Sequence, residues 1–250
     1  MRLRSLTAAA ALSLGFACSL GLGSLALSGC SRLPGAKAAQ ETYTRPDQIT
    51  DFHTLFAQNC QACHGANGQN GPAIDLANPE YQALIDDASL RKWIANGMPG
   101  TEMPAFAQSA GGMLTDNQVD ALVAGMRKEW SNPGAFAGAT PPPYPQDQTG
   151  HAQHGQQAYQ TRCASCHQNP SRQQVTSPVY LSLVSDQALR DIIVAGRPDI
   201  HQPDWQHDNP RGAQGQPLSE KNVNDIVTYL HSLRNPGVVS AAPAQVPPQK

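Results

Sequence analysis

Two short segments constrain this chain more than anything else in it. Cys60-Gln61-Ala62-Cys63-His64 and Cys163-Ala164-Ser165-Cys166-His167 both read Cys-x-x-Cys-His, and they lie 103 residues apart. These hold four of the six cysteines; Cys18 and Cys30 belong to the N-terminal region. In an oxidising compartment four cysteines can form two disulfides, but that leaves the histidine after each pair without a purpose. A structural zinc site also uses Cys and His, yet it needs a fourth ligand, and here it would need one twice. A thioredoxin-like redox pair needs a βαβ setting, and no strand-rich stretch occurs.

Cys-x-x-Cys-His instead reads as c-type haem attachment. Two thioether links from cysteines one helical turn apart hold the porphyrin, and the next residue is placed to give Nε2 to iron. The spacing predicts covalent haem at Cys60 and Cys63 with His64 as axial ligand, and again at Cys163 and Cys166 with His167, making two haem c groups. The segments downstream repeat as well. Pro79, Tyr81, Leu84, Leu90, Arg91, Ile94, Gly97, Pro99, Pro104 and Phe106 match Pro178, Tyr180, Leu183, Leu189, Arg190, Ile193, Gly196, Pro198, Pro203 and Trp205 at a constant offset of 99. Leu114-Thr115-Asp116 matches Leu218-Ser219-Glu220 at an offset of 104. This is an internal duplication. Each copy predicts a helix leading into the motif (47–60, 151–163) and a short helix (87–96, 186–195) stopped by Gly97 or Gly196. A last helix follows a Thr115 or Ser219 N-cap, with Val119, Leu122, Val123 and Met126, or Val223, Ile226, Val227 and Leu230, at helical spacing. Aromatics make up only 6% of the chain, against 21 glycines and 21 prolines, so side chains alone would build a thin core that a large apolar cofactor completes. The fold class is all-α, with two tandem helical domains around covalently bound haem.

The chain divides into a signal at 1–29, a tether at 30–45, a first domain at 46–132, a Pro-rich, semi-extended linker at 133–151, a second domain at 152–236 and a disordered tail at 237–250. Arg2 and Arg4 open the signal, and no further charge occurs until Arg32. Leu27-Ser28-Gly29-Cys30 looks like a bacterial lipoprotein processing box with Cys30 as the lipid attachment site. The competing reading is an uncleaved transmembrane anchor, since the uncharged run is long enough to span a bilayer. Without the signal the net charge is −4 and no basic run occurs, which argues against nucleic acid as a partner. Residues 46–132 carry a net −6 and residues 152–236 a net zero.

Over about 46–132 and 152–236, each copy resembles a bacterial class I cytochrome c domain. In that family a downstream methionine, usually followed by proline, is the second axial ligand. Met103-Pro104-Ala105-Phe106 matches; Met98-Pro99 is a near decoy, because Pro104 and Phe106 align with Pro203 and Trp205 whereas Met98 aligns with Arg197. His/Met ligation raises the potential. The resemblance also implies that Pro72, in Gly71-Pro72, presents its carbonyl to His64 and fixes its tautomer; in the second copy Pro170 or Pro178 could substitute. The second copy departs at the sixth ligand. Met103 aligns with Gln202 in His201-Gln202-Pro203-Asp204-Trp205, and no methionine follows Met126. His201, Gln202, His207 and a five-coordinate iron stay open, with His201 preferred; bis-His ligation would give the second haem the lower potential. His53, His151, His154 and His231 are expected at the surface, and the repeated aromatics against haem or core.

No catalytic triad, paired-carboxylate site or phosphate loop is present. The resemblance implies an electron-transfer protein and not an enzyme. The expectation is a lipid-anchored carrier on the periplasmic side of a bacterial membrane. It would pass single electrons between membrane-associated redox proteins of a respiratory chain, such as a terminal oxidase or a quinol-oxidising complex. An acidic first domain suits a basic redox partner. The alternative is a haem enzyme or a gas- or peroxide-binding protein that uses an open or weakly ligated second iron.

Overall fold

The computed structural model describes residues 43–145, 150–168, 175–207 and 216–234. The expected export signal at 1–29, Cys30, Pro170 and the C-terminal tail lie outside the described residues. Among the described residues there are ten α-helices and two isolated β-bridges but no strand. None of these helices is long and apolar enough to cross a membrane.

The first copy contains α1 (Phe52–Asn59), α2 (Gln61–His64), α3 (Pro79–Leu84), α4 (Asp87–Asn96) and α5 (Asp116–Trp130). The second repeats them as α6 (Ala152–Arg162), α7 (Ala164–His167), α8 (Pro178–Leu183), α9 (Asp186–Ala195) and α10 (Glu220–Ser232). The predicted bounds of α4 and α9 hold, and both long final helices start in capping boxes, Thr115 with Gln118 and Ser219 with Asn222. The helix expected over 47–60 is shorter. Asp51 takes an extended backbone (ψ 121°) and accepts from Thr54 N at 2.9 Å, so α1 begins only after it. α3 and α8 were not expected; each follows an Asn78 or Ser177 N-cap with proline at its first position.

The first core buries Leu55 and Phe56 of α1 against Val119, Leu122 and Met126 of α5. Each such side chain contributes about 1.5–3 kcal/mol. The second core gathers Tyr159, Leu181, Leu189, Val223, Ile226 and Leu230 in the same arrangement. α1 crosses α5 and α6 crosses α10. At each crossing a glycine lets the backbones approach: a Cβ on Gly125 in α5 would lie 2.2 Å from the Phe52 ring, and one on Gly155 in α6 would lie 1.9 Å from Asp225 O in α10. The copies therefore make the same crossing from opposite partners.

A second parallel is hidden from the sequence alignment. Arg127 of α5 donates to Ile85 O (2.6 Å) and Asp87 Oδ1 (2.7 Å). Arg234, just past α10, donates to Val184 O (2.7 Å) and pairs with Asp186 (2.7 Å). Both arginines tie the final helix to the end of the third helix and the start of the fourth, from positions offset by 107 instead of 104.

The linker is docked at Pro143 and Tyr144. Tyr144 is 7% exposed and its hydroxyl accepts from Trp93 Nε1 at 2.6 Å. The adjacent Pro143 O accepts from Arg190 Nε and Nη2 at 2.9 and 2.8 Å, and Tyr144 O accepts from Gln187 Nε2 at 2.8 Å. The strap thus bonds α4 of one copy and α9 of the other, and the described residues from Thr44 onward pack as one unit.

Candidate haem sites

Cys60 ends α1 and starts α2, with αR backbone angles (φ −119°, ψ −36°) that turn the chain. His64 N donates to Cys60 O at 3.0 Å, so Cys60, Cys63 and His64 lie within one helical turn. The second motif is built the same way: Cys163 has φ −113° and ψ −36°, and His167 N donates to Cys163 O at 3.0 Å. None of the four cysteines is in a disulfide. Burial, then the neighbouring Cys63, pushes the Cys60 thiol up to about 12, and burial pushes Cys163 up to about 11. Such thiols are poor thiolates, which argues against a thiol–disulfide redox role. Among the described residues no three His, Cys, Asp or Glu side chains converge as metal ligands, so the zinc reading finds no ligand set there.

His64 is 8% exposed, and its Nδ1 lies 2.8 Å from Ile74 O. A carbonyl only accepts, so Nδ1 carries the proton and Nε2 keeps its lone pair. Burial holds the imidazole below its usual pKa; the Ile74 bond opposes this and the charge of Arg197 adds to it. The ring thus has a fixed tautomer and an unprotonated Nε2 that can act as a donor. The carbonyl is Ile74's, not Pro72's. Ala73 N donates to Cys63 O at 2.9 Å, which leaves Pro72 exposed and brings Ile74 O under the ring. A Cβ on Gly71 would lie 2.2 Å from Cys63 O, so this close approach requires glycine.

The loop that carries Met103 begins at Gly97 (φ +70°), where a Cβ would stand 2.7 Å from Met103 O and from Ala105 N. Met98 N donates to Met103 O at 3.1 Å and closes the loop. The second copy repeats the device. Gly196 (φ +71°) packs on Gln202 O and Asp204 N, and Arg197 and Gln202 exchange two backbone hydrogen bonds of 2.9 Å each. Met103 and Gln202 are therefore equivalent in three dimensions as well as in alignment.

That register corrects the choice of His201. It sits exposed at the tip of the turn with φ +62°, while Gln202 points inward and its Oε1 lies 3.1 Å from His167 Nε2. In a loop pinned at Arg197 and Gln202, neighbouring residues point opposite ways. His207 is exposed and bonded through Nδ1 to Asp204 at 2.8 Å. His53, His154 and His231 lie at the surface beside Glu129, Asp225 and Asp186. Trp205 is 7% exposed, yet among the described residues its Nε1 meets no acceptor. A buried donor of this kind beside the Gln202 loop, together with paired free thiols and tautomer-fixed His64, fits a porphyrin with acidic side groups.

Residues 47–124 match the family described as cytochrome c oxidase, cbb3-type, subunit III, and residues 152–234 match cytochrome c. The chain carries two tandem cytochrome c domains. Two such domains imply two covalently bound haem c groups with iron. The cytochrome is 23% identical over 196 residues to "Cbb3-type cytochrome c oxidase subunit FixPc" of Rhizobium leguminosarum bv. viciae, and 24% identical over 209 residues to "Cbb3-type cytochrome c oxidase subunit CcoP" of Azospirillum sp. strain B510, each match covering 72% of this chain. It is also 43% identical over 72 residues, 28% of its length, to "Dihydro-heme d1 dehydrogenase" of Pseudomonas aeruginosa. The cytochrome spans about three fifths of the two oxidase subunits and 13% of the dehydrogenase. No solved structure matches it.

The two domains meet through polar contacts at these same loops. Asn78 Nδ2, at the start of α3, donates to Ala195 O (2.8 Å) and Gly196 O (3.3 Å) at the end of α9. Nearby, Glu80 is pushed up to about 8 by burial, then by the like charge of Asp204 and a hydrogen bond shared with it. The folded protein therefore holds this proton more tightly than the unfolded chain, and ionising it costs stability as pH rises from 4.5 to about 8. Glu80→Gln is expected to remove about 1 kcal/mol of that loss, allowing for partial solvent screening. Urea unfolding at pH 5 and pH 8 checks it: the variant should gain on the wild type only at the higher pH.

Proposed function

We propose that Cys60 and Cys63 hold one haem and Cys163 and Cys166 the other, with His64 and His167 as proximal ligands and Met103 as the sixth ligand of the first. The carrying observation is buried His64, with Nδ1 donating to Ile74 O and Nε2 left for iron. A neutral imidazole of fixed tautomer together with a soft thioether would hold a haem iron in a form that favours the ferrous ion, as a single-electron carrier needs. The similarity to cbb3-type oxidase subunits supports a terminal oxidase or its electron donor as redox partner. The basic start, apolar run and Cys30 box support export and lipid anchoring on the periplasmic side of a bacterial membrane.

Denaturing mass analysis with a haem-stained gel tests this directly. The mature wild type should carry the mass of two haems, and Cys60→Ala with Cys63→Ala, or Cys163→Ala with Cys166→Ala, should each leave one. A colourless wild type removes the proposal.

A second reading rests on Gln202. A carboxamide is a weaker donor than a thioether, and a second iron so ligated is open to exchange with peroxide, nitric oxide or cyanide. Rapid cyanide binding at one haem only, with peroxide turnover, would favour an enzyme or sensor; two low-spin haems inert to cyanide favour the carrier.

A further inference from the structure

Where the first copy has Met98, the second has Arg197, and this arginine is buried at 5% exposure. Its guanidinium leaves its own domain. Nη1 donates to Ala73 O at 2.7 Å and Nη2 to Gly71 O at 3.1 Å. Nε and Nη2 also form a two-pronged pair with Asp199, at 2.8 and 2.7 Å, and Asp199 Oδ2 accepts from Asn70 N at 2.8 Å. Three bonds therefore grip residues 70–73 of the first domain, and the next carbonyl along, Ile74 O, is the one that meets His64 Nδ1. At its other end Arg197 is the backbone partner of Gln202, in both directions. Gln202 in turn faces His167. An unbroken path of short hydrogen bonds and main chain runs from the proximal histidine of one site to the distal residue of the other.

We propose that Arg197 is a positioning residue that couples the two haem sites, so that the ligand held by the second iron sets part of the reduction potential of the first. The inference rests on the haem reading above. The charge of Arg197 is the same whichever residue stands at 202, so the coupling is one of position. The planar fork fixes two carbonyls at once, which a lysine ammonium does not. Moving the Gln202 backbone moves the fork, the fork moves residues 71–73, and Ile74 O then changes its hold on His64 Nδ1. The strength of that hold alters how basic the ligand is toward iron.

Spectroelectrochemical titration of the full-length, haem-loaded protein tests the proposal, with the two midpoints resolved by their spectra. Gln202→Met in the wild type should raise the second midpoint and also shift the first. In the Arg197→Met, Asp199→Asn background, which removes the buried charge pair together, the same Gln202→Met change should still raise the second midpoint and leave the first where it was. Arg197→Lys, which keeps the charge and loses the fork, should also uncouple them; if the double variant does not accumulate, this variant decides the matter. A first midpoint that ignores Gln202 in the wild type, or shifts equally in every background, overturns the proposal while two haems leave the haem reading intact. A wild type without two haems overturns both.

Discussion

Replacing Met103 with alanine is expected to lower the first haem's midpoint by about 0.1–0.3 V, a fraction of the roughly 0.8 V that axial ligands command. The cause is the loss of a soft, neutral sulfur donor that favours the ferrous ion. The loop itself should persist. Its shape comes from Gly97 at φ +70° and from Met98 N on Met103 O, and an alanine at 103 keeps that carbonyl. The altered iron should become high-spin in the ferric state and bind cyanide or carbon monoxide quickly. Redox titration with parallel ligand-binding spectra checks both effects, and a variant that stays low-spin with an unmoved midpoint would take Met103 out of the ligand set. The same titration on Gln202→Met should move the second midpoint the other way, because a thioether then stands at the loop position equivalent to Met103.

The second large effect falls on stability. Gly155→Val should destabilise the second domain by about 3 kcal/mol or more, the upper end of what overpacking costs. A Cβ at 155 meets Asp225 O at 1.9 Å and Asp225 C at 2.4 Å, and these are backbone atoms within α10. No side-chain rotation relieves the clash, so α6 must move off α10 and uncover Tyr159, Ile226 and Leu230. Asp225, which is buried and accepts from His151 N at 2.7 Å and from Lys221 Nζ at 2.5 Å, would lose its cap geometry as well. Urea unfolding followed by helical circular dichroism measures the loss. Gly134→Ala is the control: its nearest contact is an Asn132 side-chain oxygen at 3.5 Å, and its effect should fall within about 0.5 kcal/mol. Equal behaviour of the two variants would mean that the close crossing carries no weight.

What could be read from the sequence was local or repeated. Cys-x-x-Cys-His places three chemical groups within one helical turn whatever surrounds them, so the two attachment motifs needed no tertiary information. α4 and α9 were legible because an N-cap three residues from its partner and a terminal glycine act at short range. The all-α class followed from the same 3.6-residue periodicity that put Leu122 and Ile226 in the cores. α3 and α8 escaped because six residues are too few for periodicity, although Asn78-Pro79 and Ser177-Pro178 carried the starting signal.

What only the tertiary structure decided depends on which distant groups compete for one partner. Ile74 O accepts from His64 Nδ1 because the Ala73 N to Cys63 O bond folds residues 72–74 back onto the motif and places that carbonyl, a choice that no spacing between Gly71-Pro72 and the motif could reveal. Gln202 faces His167, and His201 does not, because Arg197 pins the register of a loop 35 residues downstream of that histidine. The Pro-rich strap is bound by Trp93, 51 residues before Tyr144, and by Arg190, 47 residues after Pro143. Chemistry confined to one helical turn is written in residue order; hydrogen-bond satisfaction across the core is written only in space, where each buried donor must find an acceptor wherever the chain has brought one.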